Sequence, residues 1–362
     1  MSAFKKSFPS IFAAAAGILT LLAAVPLPAV MSADTPDTEL GADTLSTDTL
    51  SAGTRDAIDR FHRFIASPPA KEHPAIITAE QNSRRAILFR AESDWSDPTS
   101  ILWQWDPAQA PELTAEQVKW FGNISDVKPV MGGKVLLEAA SGGGVALIRL
   151  EDKKVLFLGY AGGNTHSAAL LPDGNIVSAS STGGYLRLFV RSGGDKSDDS
   201  RIGEAAHIDY PFTDAHGVVW DASRGVLWAL GGDNLAGYYY RGSKENPTLE
   251  EFYREKFPGK LTGGHDLYPM PGEDLLLFTT VTGVGVFDPA ARRMLPLSGR
   301  HSIKSISIDS GGAVIMLVPV EQWWSETISY FAPGEPAAGT YPKAKFYKAR
   351  WWMPNTFSEP EE

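Results

Sequence analysis

The sequence contains no cysteine among its 362 residues. Disulfide bonds are therefore excluded, and a folded chain of this length must be stabilised by packing alone. The chain also lacks a block of basic residues, and its formal net charge is -10. A surface this acidic repels phosphate backbones, which argues against nucleic acid as a partner.

Long stretches free of glycine and proline are scarce, because the chain carries 35 glycines and 25 prolines. A helical bundle needs such stretches, so the composition favours many short strands joined by turns. Hydrophobic residues make up 43% of the chain and charged residues 21%. That balance is typical of globular proteins and excludes disorder throughout.

The N-terminus has the parts of a secretory signal in the usual order. Lys5 and Lys6 precede an apolar run over 11–25, which small residues follow. Because this run is short for a membrane span, residues 1–33 are predicted to be a signal peptide, cleaved between about residue 29 and residue 35. An uncleaved anchor is the alternative. Together with the lack of disulfides, the signal predicts an exported bacterial protein, periplasmic or extracellular, whose mature chain does not insert into a membrane.

The remaining chain divides into four predicted parts. Residues 34–53 are rich in Asp, Thr and Ser and are expected to form a solvated linker. Apolar residues at helical spacing predict a short helix over 54–67, with His62 on its polar, exposed side. The repeats described next occupy 68–354, and 355–362 form a tail.

Five segments of the chain share one plan. Each begins with a polar residue and continues with an apolar strand, a turn containing Gly or Asp, a second strand, a break of small residues and a third strand. The segments are 127–150, 166–189, 216–240, 265–288 and 304–331. A period of roughly 40 to 50 residues built from short strands is typical of β-propeller blades.

A sixth unit is split between the two ends of the repeat region. Residues 75–90 and 101–107 supply part of a blade, and 348–354 supply the missing strand, which closes the ring. We therefore predict an all-β fold, a six-bladed β-propeller. Seven blades are the alternative, because 185–210 and 240–262 are irregular.

The polar residues that begin the repeats form the candidate site. The first strand of a propeller blade is the innermost, so residues at one register converge on the central channel. We place at this register Lys128, His166, His216, His265 and Lys304, with Arg350 as the sixth member. Polar residues often merely plug such a channel, but converging cations repel one another unless an anion lies between them. The ring is therefore predicted to be a ligand or catalytic site.

Three interpretations of this ring remain open. In the first, Lys128, Lys304 and Arg350 hold an anionic group while one of the three histidines transfers a proton. In the second, the three histidines bind a divalent metal, although the nearby lysines oppose a cation. In the third, the propeller binds or scaffolds without chemistry. Asp214 or Asp266 either orients an imidazole or caps a turn. We predict no metal and no cofactor.

Four short motifs carry a resemblance to known propellers. "NTHSAALLPDGNIVSASSTGG", "DAHGVVWD", "GGHDLYPMPG" and "SIKSIS" resemble a secreted bacterial propeller family of unknown function, over 75–352. The first motif is also similar in style to arylsulfotransferases and to propeller lyases and hydrolases that act on uronate-containing glycans. This resemblance implies a site at the channel mouth. We therefore expect an anionic saccharide ligand and a glycan-cleaving or glycan-modifying enzyme, a lyase or hydrolase. A non-catalytic ligand-binding or protein-interaction propeller is the alternative.

Overall fold

A computed structural model describes residues 51–66, 75–191 and 205–359. Within these ranges the chain forms six four-stranded antiparallel sheets and two α-helices, α1 (Ala52–Ala66) and α2 (Ala115–Lys119). Two short 3-10 turns span Pro98–Ser100 and Pro107–Gln109. None of the described helices is long and apolar enough to cross a membrane. The predicted signal peptide and most of the predicted linker lie outside the described residues.

Blade 1 closes the ring with strands from both ends of the repeat region. From the inside outward it contains the last strand of the chain and the first three, namely β24 (Phe346–Trp351), β1 (Ala75–Glu80), β2 (Arg85–Arg90) and β3 (Ile101–Trp105). The predicted split unit is confirmed, and its C-terminal strand is the innermost one.

The other five blades follow one another along the chain, each running from its inner strand to its outer strand. Blade 2 contains β4 (Ile124–Val130), β5 (Val135–Ala140), β6 (Gly144–Arg149) and β7 (Val155–Tyr160). Blade 3 contains β8 (Thr165–Leu170), β9 (Ile176–Ser180), β10 (Tyr185–Val190) and β11 (Ala206–Pro211). Blade 4 contains β12 (Ala215–Asp221), β13 (Val226–Gly231), β14 (Asn234–Gly242) and β15 (Pro247–Lys256).

Blade 5 contains β16 (Gly264–Pro269), β17 (Leu276–Thr280), β18 (Val284–Asp288) and β19 (Arg293–Ser298). Blade 6 contains β20 (Ser305–Ile308), β21 (Val314–Leu317), β22 (Thr327–Tyr330) and β23 (Ala337–Thr340). Of the two irregular segments, 185–210 holds the third strand and most of the outer strand of blade 3, and 240–262 holds the outer strand of blade 4. The fold is therefore a six-bladed propeller, and the seven-bladed alternative is wrong.

Four inner strands carry a β-bulge at equivalent positions. The pairing with the second strand of the blade shifts by one residue across Ser125 in blade 2, His166 in blade 3, His216 in blade 4 and His265 in blade 5. A bulge adds one unpaired residue to a strand and re-aims its side chain. Each predicted histidine is such an extra residue at the start of an inner strand.

Apolar side chains fill the spaces between neighbouring blades. One cluster joins blades 1 and 2, where the rings of Trp105 and Phe121 meet edge to face with centroids 5.1 Å apart. Helix α1 packs Phe61 against Phe331 in blade 6, with ring centroids 6.0 Å apart, while His62 is exposed as predicted. This packing holds the inner strands in place around the channel.

Candidate functional site

Six residues hold equivalent positions at the end of the channel where the inner strands begin. Contacts join five of their side chains, whereas the hydroxyl of the sixth, Ser125, bonds to Ser141 Oγ at 2.8 Å. We call this set the head ring, and it consists, in blade order, of Tyr347, Ser125, His166, His216, His265 and Lys304. The His166 and His216 rings stack with centroids 4.3 Å apart, and the His216 and His265 rings meet edge to face at 5.2 Å. The predicted convergence of the three histidines and Lys304 is confirmed.

The bulges explain how the head residues and their successors both reach the channel. In a regular strand, successive side chains point to opposite faces. A bulge breaks that alternation, so that His265 and the next residue, Asp266, both lie on the channel side. Asp266 contacts Arg350 of blade 1, whereas His265 contacts Lys304 of blade 6. The channel therefore has two polar layers, one below the other.

Lys128 lies in the deeper layer, and the prediction that it belongs to the head ring is wrong. The bulge places Ser125 at the head of blade 2, three residues before Lys128. Lys128 Nζ donates to Ser167 Oγ at 2.8 Å and to the backbone oxygens of Ala168 and Val218, each at 2.9 Å. Because all three of its N–H donors are in use, the ammonium has a structural role: it links blade 2 to blades 3 and 4 across the channel.

Arg350 also lies below the head ring, which corrects its predicted position. Its guanidinium donates to Asp266 Oδ1 at 2.6 Å and to Asp126 Oδ1 at 3.1 Å. Lys348, which the sequence analysis missed, donates to Asp266 Oδ1 at 3.1 Å and to the backbone oxygen of His166 at 3.3 Å. The pattern Lys348-Ala-Arg350 could have predicted this position of Lys348, because residues two apart in a strand place their side chains on the same face.

These five buried groups form what we call the charge plug: Asp126, Lys128, Asp266, Lys348 and Arg350. Burial alone would raise the pKa of Asp126, but the charges of Lys348, Lys128 and Arg350 lower it. The pKa of Asp266 is likewise lowered, against burial, by Arg350 and Lys348. Three cations thus share two carboxylates, and the plug carries one uncompensated positive charge.

All three imidazoles of the head ring are held in the neutral form. Burial is the largest cause in each case, and it lowers the pKa of His265 to about 2 with help from the Lys304 charge. Burial also lowers the pKa of His166 well below its usual range, and that of His216. Like charges on Lys348 and Lys304 lower both further.

Bonding partners assign the proton positions on two of the rings. His216 Nδ1 lies 2.8 Å from the backbone oxygen of Asp214 and 3.3 Å from its Oδ1, so this nitrogen carries the proton. The Nε2 of His216 therefore holds a lone pair. Lys304 Nζ donates to His265 Nε2 at 2.8 Å, so the His265 proton lies on Nδ1.

The two aspartates that were considered as partners of the histidines have different roles. Asp214 orients His216 through both its backbone oxygen and its carboxylate. Asp266 contacts the cations of the charge plug and neither orients an imidazole nor caps a turn.

The geometry does not favour a metal centre on the three histidines. Among the described residues, no group of three or more His, Cys, Asp or Glu side chains is placed to hold a metal ion. The lone pair of His265 Nε2 is already used by Lys304. A second cation beside that ammonium would be repelled.

A cavity lies at the opposite end of the channel from the histidines. Its walls are mostly apolar and include Val130, Trp220 and Tyr268, and the C-terminal residues Asn355, Ser358 and Glu359 also line it. Its two charged groups both have partners, since Lys128 is bonded as described and Glu359 accepts from the N–H groups of Met131 and Gly132. We therefore place the candidate site at the head ring.

Comparison with known proteins gives a family and a distant structural likeness. The model described as "Family of unknown function (DUF6528)" matches residues 55–362, which confirms the predicted resemblance to a family of that kind. No curated protein matches the sequence. Hydrazine synthase from Kuenenia stuttgartiensis is similar over 55% of this chain and 56% of that chain, at 14% identity with a TM-score of 0.40. The similarity thus spans little more than half of that chain, and it carries no argument about this one.

Proposed function

We propose a function from the geometry of the head ring, because this chain belongs to DUF6528, a family of unknown function. The head ring binds a carboxylate of an acidic glycan. The protein is a lyase that cleaves this glycan by β-elimination. The single observation that carries this proposal is the excess positive charge of the channel. Lys304 adds a further cation above the charge plug, and the half-exposed carboxylate of Asp214 beside His216 offsets part of that charge. The channel still has more cations than carboxylates, and an anionic ligand would offset the excess.

The polar groups of the head ring fit β-elimination better than hydrolysis. Most glycoside hydrolases use two carboxyl groups that flank the scissile bond. The head ring contains hydroxyl, imidazole and ammonium groups, and the carboxylates of Asp126 and Asp266 lie below it, bonded to cations. Asp214 is a single carboxylate at the edge of the ring. A neutral imidazole beside an ammonium suits removal of a proton next to a carboxylate.

His216 is the proposed base. Its Nδ1–H is held by Asp214, so the lone pair on Nε2 is free to accept a proton from the carbon that bears the uronate carboxylate. The electron pair of that C–H bond forms a carbon–carbon double bond, and the neighbouring glycosidic C–O bond breaks. The departing oxygen takes the proton from His216, which restores the neutral imidazole. Lys304 neutralises the carboxylate and so makes the adjacent C–H bond more acidic.

The test is turnover of uronate-rich polysaccharides by the purified protein. Polygalacturonate, alginate and a glucuronate polymer are compared with neutral dextran, and the unsaturated product is followed by its ultraviolet absorbance. We expect His216→Gln to lower kcat on the order of 100-fold or more, because it removes the base. Lys304→Met should raise KM on the order of 10-fold to 100-fold, because it removes the charge that holds the carboxylate, and it should also lower kcat, because the adjacent C–H bond becomes less acidic.

Two exposed residues supply matched controls for these variants. His62→Gln on helix α1 and Lys153→Met in the exposed turn between β6 and β7 change the same residue types away from the head ring, and both should leave kcat and KM unchanged. A chelator should also leave turnover intact. Failure to bind or cleave any uronate polymer would overturn the proposal, and equal loss of activity with the chelator would favour the metal interpretation.

A binding module without turnover is the second candidate. The observation in its favour is the low exposure of the head ring, since the His216 side chain is only 9% exposed. Uronate binding that depends on Lys304, with no product formed on any polymer, would establish this candidate in place of the lyase.

A further inference from the structure

The loop between β21 and β22 presents an exposed tryptophan on a tight turn. Glu321 and Trp324 pair across the turn, and Trp324 N–H donates to Glu321 O at 3.0 Å. At the tip, Trp323 is 44% exposed and Val320 is 69% exposed. Large apolar side chains cost free energy when left in water, so exposed ones with fixed positions often mark contact sites.

A buried glutamine fixes this tryptophan beside the head ring. Trp323 Nε1 donates to Gln81 Oε1 at 3.0 Å, and Gln81 Nε2 donates to the backbone oxygen of Ile124 at 3.1 Å. Ile124 directly precedes Ser125, the head residue of blade 2. The backbone N–H of Gln81 also donates to Lys345 O, two residues before the head residue of blade 1. Gln81 therefore links the indole to blade 2 through its side chain and to the start of β24 in blade 1 through its backbone.

We propose that Trp323 is a stacking platform for the next sugar unit of the acidic glycan whose carboxylate the head ring binds, an inference that rests on the proposed function. One face of a pyranose ring carries mostly C–H groups, which pack well against an indole whose N–H end is already bonded. Lys345 Nζ lies 4.8 Å from the centre of the Trp324 ring, and Glu321, which pairs with Trp324, places an opposite charge on the same turn. The affinity at this subsite therefore comes from stacking, whereas the charge contact is made at the head ring.

The size of the patch argues for a sugar rather than a protein partner. A stable protein interface buries about 800 Å² on each side and has several aromatic or aliphatic anchors. This turn exposes two apolar side chains, Val320 and Trp323, which together match a single sugar ring. The platform also lies next to the proposed site, where a bound glycan would extend over the surface.

The test compares ligands of different length on variants of Trp323. Binding of the monomer and the tetramer of galacturonate, mannuronate and glucuronate is measured by calorimetry in a His216→Gln background, so that the ligand is not consumed. We expect Trp323→Ala to weaken tetramer binding about tenfold and monomer binding less than about twofold. Trp323→Phe should retain most of the affinity. Leu102→Ala, which truncates a comparably exposed residue on the outer strand β3, is the matched control.

The outcomes separate this inference from the proposed function. Equal tetramer binding by Trp323→Ala and the parent protein would overturn the platform and leave the proposed function standing. Equal weakening of monomer and tetramer would also overturn it, because Trp323 would then act by shaping the head ring. Failure of the parent protein and of its His216→Gln variant to bind any of these uronates would overturn both. Self-association that Trp323→Ala abolishes would assign the patch to a second copy of the chain.

Discussion

Replacing Asp266 by asparagine tests the account of the charge plug. Asp266 is 1% exposed, and it accepts hydrogen bonds from Arg350 Nη1 at 2.5 Å, from Arg350 Nη2 at 2.6 Å and from Lys348 Nζ at 3.1 Å. Asparagine keeps the shape of the side chain but removes its charge. Three buried cations would then share the single carboxylate of Asp126.

The size of the effect follows from the cost of a buried charge without a partner. Removing one member of a buried ion pair typically destabilises a protein by about 3 to 5 kcal/mol. The entropy of unfolding is about 2.1 cal/mol/K per residue, so over roughly 290 ordered residues this cost lowers the melting temperature by about 5 to 8 °C. Differential scanning calorimetry of Asp266→Asn against the parent protein measures the shift.

A second substitution shows whether the uncompensated charge is the cause. Arg350→Met added to Asp266→Asn restores the original net charge of the plug, and we expect it to recover at least half of the lost melting temperature. Asp152→Asn removes the exposed partner of Arg149 and should change little. A single variant that melts within about 1 °C of the parent, or a double variant less stable than the single one, would refute this reasoning.

Three further predictions concern other groups. Burial lowers the pKa of Lys304 to about 8, so uronate binding should fall as the pH rises through about 8, and Lys304→Met should lack this dependence in calorimetric titrations. Burial raises the pKa of Glu138, so the folded protein keeps a proton that the unfolded chain releases, and stability falls as the pH rises above about 4.3. Glu138→Gln should therefore gain in melting temperature relative to the parent more at pH 9 than at pH 4.5. Terminal sequencing of exported protein should find the mature chain beginning between about residue 29 and residue 35, whereas Met1 on membrane-bound protein would favour an anchor.

Periodicity was sufficient to predict the blades. Repeated turns with Gly or Asp between apolar runs gave the inner three strands of each unit, and the matching ends gave the closure of the ring. The outer strands of blades 3 and 4 were harder to predict. In β11 (Ala206–Pro211) most side chains are exposed, so the hydrophobic pattern that identifies a buried strand is absent.

The site could be predicted only in part, because the depth of a residue in the channel depends on the bulge. His166, His216, His265 and Lys304 were found from their shared place before an apolar strand. Lys128 aligns with these residues at the start of its repeat in the sequence, but Ser125 is the bulged residue of its strand. A serine before a strand does not by itself indicate a functional site, so Ser125 was not predicted as the head residue of blade 2.

On the proposed function, the charge plug affects the chemistry of the head ring above it. The bulges place the charge plug directly below the imidazoles. Burial lowers the pKa of both His166 and His216, and the charges of Lys348 in the plug and Lys304 in the head ring lower it further. The same positive charge attracts an anionic ligand to the head ring. A carboxylate bound there would offset part of that charge, and the pKa of His216 would rise toward the range useful for proton transfer. On this proposal the imidazole is neutral and able to accept a proton before the substrate arrives, and it would become a stronger base once the substrate is bound.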